Sequence, residues 1–221
     1  ALGEARVEAL HAAALPAGRE REVSLWILCG QGDASALERV RLAVANGATA
    51  MLLLNAPADG LALSALGVEA AALEEKSVEG FAVLGAIERA HPLFAPFASP
   101  QFSDFTGIRF WKHRKLDVPV GGVAAVLARF EGGDPALVEY SAGKGRILVW
   151  TSDWRPADAQ WVLSSRCVPF LASCVEWAGG GRRSFLTGNA GESFALPPGT
   201  MAVRAGDGRA HVRPRAGRPD H

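Results

Sequence analysis

The chain has 221 residues, 49% of them apolar and 21% charged, which is the composition of a globular protein and not of a disordered or fibrous one. Lys and Arg together number 23 and so do Asp and Glu, so no overall basic field exists to hold nucleic acid or an anionic membrane by charge. No run of about 18 apolar residues occurs, so no segment reads as a transmembrane helix.

Residues 4–15 are rich in Ala, Leu and Glu, with Val7, Leu10 and Ala14 at helical spacing, and Pro16-Ala17-Gly18 stops the pattern. A helix is expected there. The run Val23-Ser24-Leu25-Trp26-Ile27-Leu28 ends in Cys29-Gly30-Gln31-Gly32-Asp33 and predicts a strand buried on both faces. Asp33 or Ser35 can cap the next helix, whose Leu37, Val40 and Val44 recur at intervals of three and four before Asn46-Gly47. Residues 50–54 predict a second buried strand, closed by Asn55-Ala56-Pro57. Strand, helix and strand joined by short connections predict a βαβ unit in a parallel sheet. Residues 61–75 read as partly helical around a break at Gly67. From Phe81 onward the character changes, and 108–115, 124–130 and 136–140 predict strands, the last two a hairpin. Ser141-Ala142-Gly143-Lys144-Gly145 then turns into a buried strand over 146–151, and 165–178 predict a helix with Pro169 in its first turn.

Charge divides the chain. Residues 1–181 hold 16 Lys and Arg against 20 Asp and Glu, whereas 182–221 hold 7 against 3. We expect an α/β domain over 1–181 and the beginning of a second, β-rich segment over 182–221; the chain starts at Ala1 without a Met, and we expect it to be a piece of a longer protein. Cys29, Cys167 and Cys174 form no CxxC pair and suit neither a disulfide scaffold nor a zinc site. Cys167 and Cys174 lie two turns apart on a predicted helix, about 10 Å at 1.5 Å rise per residue, too far to bridge. They read as buried free thiols.

The glycines after the first strand invite a phosphate-binding reading, because amides at a strand-to-helix turn can hold an anion. Gly30 and Gly32 supply only GxG, without a third glycine or a P-loop lysine, so a plain tight turn competes with that reading. Gly143 and Gly145 flank two β runs, and a hairpin turn accounts for both. The run Trp111-Lys112-His113-Arg114-Lys115 reads either as a solvated edge strand or, with Phe110, Trp111 and Lys112, as a patch for a partner. No histidine pair has metal-ligand spacing, no GxSxG elbow is present, and the acidic residues form no evident glycosidase pair. No catalytic residue, metal or cofactor is therefore expected.

The stretches His91-Pro92-Leu93-Phe94-Ala95-Pro96-Phe97, Phe102-Ser103-Asp104-Phe105 and Ile108-Arg109-Phe110-Trp111-Lys112, with Asp134-Pro135-Ala136-Leu137-Val138-Glu139, the Gly-Lys-Gly-Arg turn at 143–146 and Thr151-Ser152-Asp153-Trp154, resemble a region of bacterial membrane proteins related to the Bat-type aerotolerance regulators. The resemblance spans roughly residues 20–180. It implies a flavodoxin-like, class I glutamine amidotransferase-like α/β fold, with a mostly parallel sheet, helices on both faces, a β-hairpin insertion and a partial C-terminal β segment. The parent it implies is membrane-anchored, often carries a von Willebrand factor A domain, and holds this domain outside the cytoplasm.

Amidotransferases place their cysteine on a Gly-x-Cys-x-Gly elbow and complete it with a His and a Glu, and none of the three cysteines here sits on such an elbow. The late loop reads Ser152-Asp153-Trp154-Arg155-Pro156 and contains no histidine. The expectation is a non-catalytic binding or scaffolding domain, whose partners are other domains of its parent or envelope proteins. Its ligand end is expected at the carboxyl ends of the strands, at Gly30, Gln31, Asn55, Asp153, Trp154 and Arg155. The alternative is a hydrolase acting on a saccharide or other small molecule, using Asp153 with a second carboxylate.

Overall fold

The structure, a computed structural model, describes residues 18–69, 73–119 and 123–179. The helix expected over 4–15 and the second segment over 182–221 lie outside the described residues. Strand β1 (Leu25–Cys29), helix α1 (Ala34–Ala45) and strand β2 (Thr49–Leu53) follow the expected order, and β1 pairs with β2 in parallel. The Asp33 carboxylate caps α1 by accepting the Ala36 N–H at 2.8 Å. A short helix α2 (Gly60–Ala65) ends before Gly67, which holds φ +86°.

The chain then leaves the main sheet. Among the described residues strand β3 (Glu74–Ala82) pairs only with β5 (Phe110–Lys115), in an antiparallel ribbon. The partly helical reading of 61–75 runs into its first two residues, and β3 was missed because its exposed pattern offers no alternation to read. Strands β4 (Leu84–Ile87), β6 (Ala124–Phe130), β7 (Pro135–Ala142) and β8 (Gly145–Trp150) join the main sheet in the order β1-β2-β8-β7-β6-β4, and α3 (Cys167–Ala178) follows. The β1–β2 and β2–β8 pairings are parallel, whereas β8–β7, β7–β6 and β6–β4 are antiparallel, so four of the six strands run the same way. This is an α/β fold on a mixed sheet.

Side-chain alternation along β2 explains the layers. Ala50, Leu52 and Leu54 enter one core with Val40 and Val44 of α1 and Leu63 of α2. Met51 and Leu53 enter the other with Trp150, Trp161, and Phe170 of α3. Helices therefore lie on both faces of the sheet. Both thiols on α3 are buried and free, and burial pushes Cys174 up to about 12. Strand β1 corrects an expectation. It is an edge strand with Trp26 and Leu28 buried under α1, but Ile27 is 43% exposed and Cys29 is exposed on the opposite face. A continuous apolar run does not distinguish a central strand from an edge strand that lacks a cover on one side.

The two glycines of the turn at 143–145 are explained by close approach, as the hairpin reading expects. Gly143 holds φ +60° and a Cβ there would stand 2.9 Å from the Ala45 Cα. A Cβ on Gly145 would overlap the carbonyl oxygens of Val44 and Ala48. The β7–β8 turn packs against the end of α1, and only glycine fits.

The basic run of β5 departs most from its sequence reading. His113 and Arg114 are 2% and 1% exposed, so the strand is no solvated edge. His113 Nε2 lies 2.8 Å from the Asp134 carboxylate, which also accepts from Lys76 Nζ at 2.7 Å, so the ribbon is tied to the β6–β7 turn. The ring stacks 4.5 Å from Phe130 and its buried Nδ1 has no partner, which selects the neutral form that donates from Nε2. Burial pushes the His113 pKa down and the charges of Lys76 and Arg114 add to this, outweighing the opposite pull of Asp134. Between its folded value and the ordinary value near 6.5, the unfolded chain binds the extra proton, so stability falls as pH drops below about 6.5. Urea midpoints at pH 7.5 and pH 5 should show this loss, and His113→Gln should reduce it; an unchanged pH dependence in the variant would refute the assignment.

Candidate functional site

The three parallel strands β1, β2 and β8 end side by side, and the chain continues from them as Gly30, Leu54 and Thr151. The ladder runs on into the turns: Gly30 N–H donates to the Leu53 carbonyl at 3.0 Å and Leu54 N–H to the Trp150 carbonyl at 2.9 Å. This edge brings together the turn after β1, Asn55, and the loop over 151–156.

Gly30 takes φ +70°, and a Cβ there would lie 2.6 Å from Asn55 Nδ2. The carboxamide of Asn55 thus fills the hollow of the glycine turn, where an anion cradle would have to be. Asn55 is itself positioned by Asp59, whose buried carboxylate accepts the Asn55 N–H at 2.6 Å and the Ala56 N–H at 3.0 Å. Gln31 is exposed beside this turn. Sequence reasoning missed Asp59. A Pro followed two residues later by Asp at a short helical turn was its only signal.

Asp153 is 3% exposed and is held from within its own loop, accepting the Trp154 N–H at 2.6 Å and the Arg155 guanidinium. A surface pairing of Arg155 with Asp158 is the expectation from sequence spacing, but its salt-bridge partner is Asp153; the Arg155 side chain is 63% exposed. Trp154 is half-buried, its ring 6.3 Å from Trp150, so it covers the core beneath the loop. Asp158 is taken by Arg114, whose Nη1 donates to it at 2.7 Å and to the Leu54 carbonyl at 3.0 Å, while Nη2 reaches Glu75 at 3.1 Å. One buried guanidinium therefore joins the end of β2, the loop after β8 and strand β3. This residue was missed because a run of five basic and aromatic residues carries no mark of which side chain points inward.

Cys29 ends β1 exposed. Burial raises its pKa and the Asp153 charge raises it further, the reverse of what activates a thiol nucleophile. The two described histidines are engaged elsewhere, His113 with Asp134 and His91 with Glu139 at 3.1 Å. Among the described residues no group of three or more His, Cys, Asp or Glu side chains is placed to hold a metal ion. A hollow of about 450 Å³ lies away from this edge, lined by residues that include Val68, Glu69, Pro119, Ala124 and Tyr140. Tyr140 pairs with Ile147 near the start of β8, so the hollow lies toward the opposite end of that strand from the candidate site.

The suggested partner patch at Phe110, Trp111 and Lys112 is not a surface aromatic cluster. Phe110 is completely buried, 5.2 Å from Phe130 and 6.5 Å from Trp150, and Trp111 and Lys112 are half-buried. The strand is covered on both faces, so adjacent residues His113 and Arg114 are buried as well.

No family model matches the chain, and no curated protein matches it. Among solved structures it is similar to the cytoplasmic protein STM3548 from Salmonella typhimurium, with 14% identity and a TM-score of 0.57 over 75% of this chain and 76% of that one. It is also similar to the cytoplasmic protein STM1381 from Salmonella typhimurium LT2, with 18% identity and a TM-score of 0.50 over 65% of this chain and 60% of that one. A β-galactosidase from Rahnella sp. R3 aligns with 71% of this chain and 23% of its own length, at 17% identity and a TM-score of 0.46. At these identities the two Salmonella proteins show a shared α/β fold and nothing of activity. Among the described residues no helix is long and apolar enough to cross a membrane.

Proposed function

We propose that this α/β unit is a non-catalytic binding or scaffolding domain, an amidotransferase-like shell within a larger bacterial envelope protein. The observation that supports this is the engagement of the acidic groups and of the glycine turn at the strand ends by neighbouring protein atoms. Asn55 fills the Gly30 turn, Asp59 holds Asn55, Asp153 holds Trp154 and Arg155, and Cys29 stands beside a carboxylate that disfavours its thiolate. The Asp59 and Asp153 carboxylates already accept from fixed donors and the Cys29 thiolate is disfavoured, so none of them is poised for chemistry, while Gln31, Trp154 and Arg155 remain on the rim for contact. Its partners are other domains of the parent or envelope proteins. The envelope setting, with the domain outside the cytoplasm, rests on the resemblance over residues 20–180.

Purified protein incubated with glutamine should release no more ammonia than its Cys29→Ser variant. Turnover that disappears in Cys29→Ser would overturn the non-catalytic reading. In the intact parent, Trp154→Ala combined with Arg155→Ala should lose an envelope protein that the wild type retains by crosslinking in its own cells.

A further inference from the structure

The hollow of about 450 Å³ lies beside the start of β6, away from the strand-end rim. Two residues of its lining, Ala124 of β6 and Tyr140 of β7, are cross-strand partners, and Ala142 follows two residues on along the same face of β7. Alanines on either side of a tyrosine leave room over the sheet that larger side chains would fill. Val68, just after α2, adds a buried apolar wall at 3% exposure. The volume falls within the range of about 300–1,000 Å³ usual for small-molecule sites, which are apolar with a few placed polar groups.

Two polar groups of this lining have no partner among the described residues. Tyr140 is 5% exposed, and its hydroxyl is buried without a hydrogen bond. Buried polar groups are nearly always paired, so such an orphan marks a place where a partner from outside the chain fits. Burial raises the Tyr140 pKa, so the hydroxyl keeps its proton at neutral pH and can donate it. Glu69 is exposed and forms no ion pair among the described residues. No Lys, Arg or His is among the described residues of the lining, so the hollow favours a cation. A smaller hollow of about 200 Å³ shares Val123, Ala124 and Ser141 with it and adds Glu139. That carboxylate is already taken, by His91 at 3.1 Å and Arg146 at 3.2 Å, so it is Glu69 that can receive an incoming charge.

We propose that this hollow binds a small organic amine, with the ammonium group on the Glu69 carboxylate, the apolar body against Val68, Ala124 and Ala142, and a hydrogen-bond acceptor on the Tyr140 hydroxyl. The site is distinct from the strand-end rim, and its occupation does not depend on what that rim contacts. An exposed carboxylate by itself holds a cation weakly in water, so the apolar body carries most of the affinity. A Kd of about 1 mM lies well within what a ligand of about ten non-hydrogen atoms can reach.

Tyramine is the probe, with 4-hydroxyphenylacetate as its counterpart of opposite charge and phenethylamine as its counterpart without the hydroxyl. Ligand-observed NMR titrations of the full chain at pH 7.5 should give saturable tyramine binding with a Kd of about 1 mM or below, and 4-hydroxyphenylacetate should bind about tenfold more weakly. Glu69→Gln should weaken tyramine about fivefold, whereas Glu79→Gln, which removes an exposed carboxylate of β3, should leave it unchanged. Tyr140→Phe should weaken tyramine about fivefold, leave phenethylamine unchanged and not lower the urea midpoint, because the hydroxyl it removes has no partner in the free protein. Absence of saturable binding up to about 10 mM, equal affinity for the two charges, equal responses in Glu69→Gln and Glu79→Gln, or unchanged tyramine affinity in Tyr140→Phe would overturn the proposal.

Discussion

Replacing Arg114 with Met should lower the free energy of unfolding by about 3–5 kcal/mol, the range for removing one partner of a buried ion pair. The side chain is 1% exposed and Asp158 beside it 4%, so loss of the guanidinium leaves a buried carboxylate without its hydrogen-bonded counter-ion. The Leu54 carbonyl loses a donor at the same time. The second variant separates charge from packing. Asp158→Asn added to Arg114→Met removes the stranded charge and should recover part of the loss, because a neutral pair in the same volume avoids most of the desolvation penalty. Urea unfolding followed by tryptophan emission gives both numbers. A loss under about 1 kcal/mol for Arg114→Met would place the pair among water-exposed bridges, contrary to its burial. The change also has a reading at the rim: Arg114 fixes the end of β2 relative to the loop over 151–158, so partner contact through Trp154 should weaken with it even where the protein stays folded.

Trp150→Ala should cost a similar amount, about 3–5 kcal/mol, by transfer and cavity. The ring is completely buried, with its centroid 4.6 Å from that of Trp161, 5.5 Å from Phe170 and 6.3 Å from Trp154. Three of these neighbours come from the loop and helix after β8, so the cavity opens where they meet the sheet. Trp150→Phe should lose distinctly less, since it keeps an aromatic ring and removes an indole N–H that is buried without a partner. Guanidinium midpoints of the two variants test the order. If Ala and Phe were equally tolerated, the aromatic cluster would not be the support of the loop over 151–156.

Against a typical stability of about 5–15 kcal/mol for a whole domain, either loss is a large fraction. Both residues lie behind the candidate rim and neither is on it. A buried guanidinium and a buried indole thus hold the loops that carry the exposed groups of this edge.

Much of the architecture was legible in the residues themselves. The apolar runs at 25–28 and 50–54, the cap at Asp33 and the spacing of Leu37, Val40 and Val44 determine a βαβ unit, because local periodicity and capping act over a few residues. The glycines at 143 and 145 announced a tight turn on the same local grounds, although the collision with Val44 and Ala48 that requires glycine is a fact of packing. The departures from the amidotransferase triad were likewise plain from the residue types present around each cysteine.

Tertiary structure alone decided which apolar strand stands at the edge, since β1 and β2 read alike and only the sheet order leaves Ile27 uncovered. It also decided which of the charged residues are internal. Within Trp111-Lys112-His113-Arg114-Lys115 the composition promises a solvated strand, yet two of its three central side chains are buried because Asp134, Asp158 and Glu75, far apart in the chain, converge on them. Local sequence carries the preference of a residue for helix, strand or turn. Whether a charge can be buried depends on partners supplied by other segments, and those are brought together only when the sheet assembles.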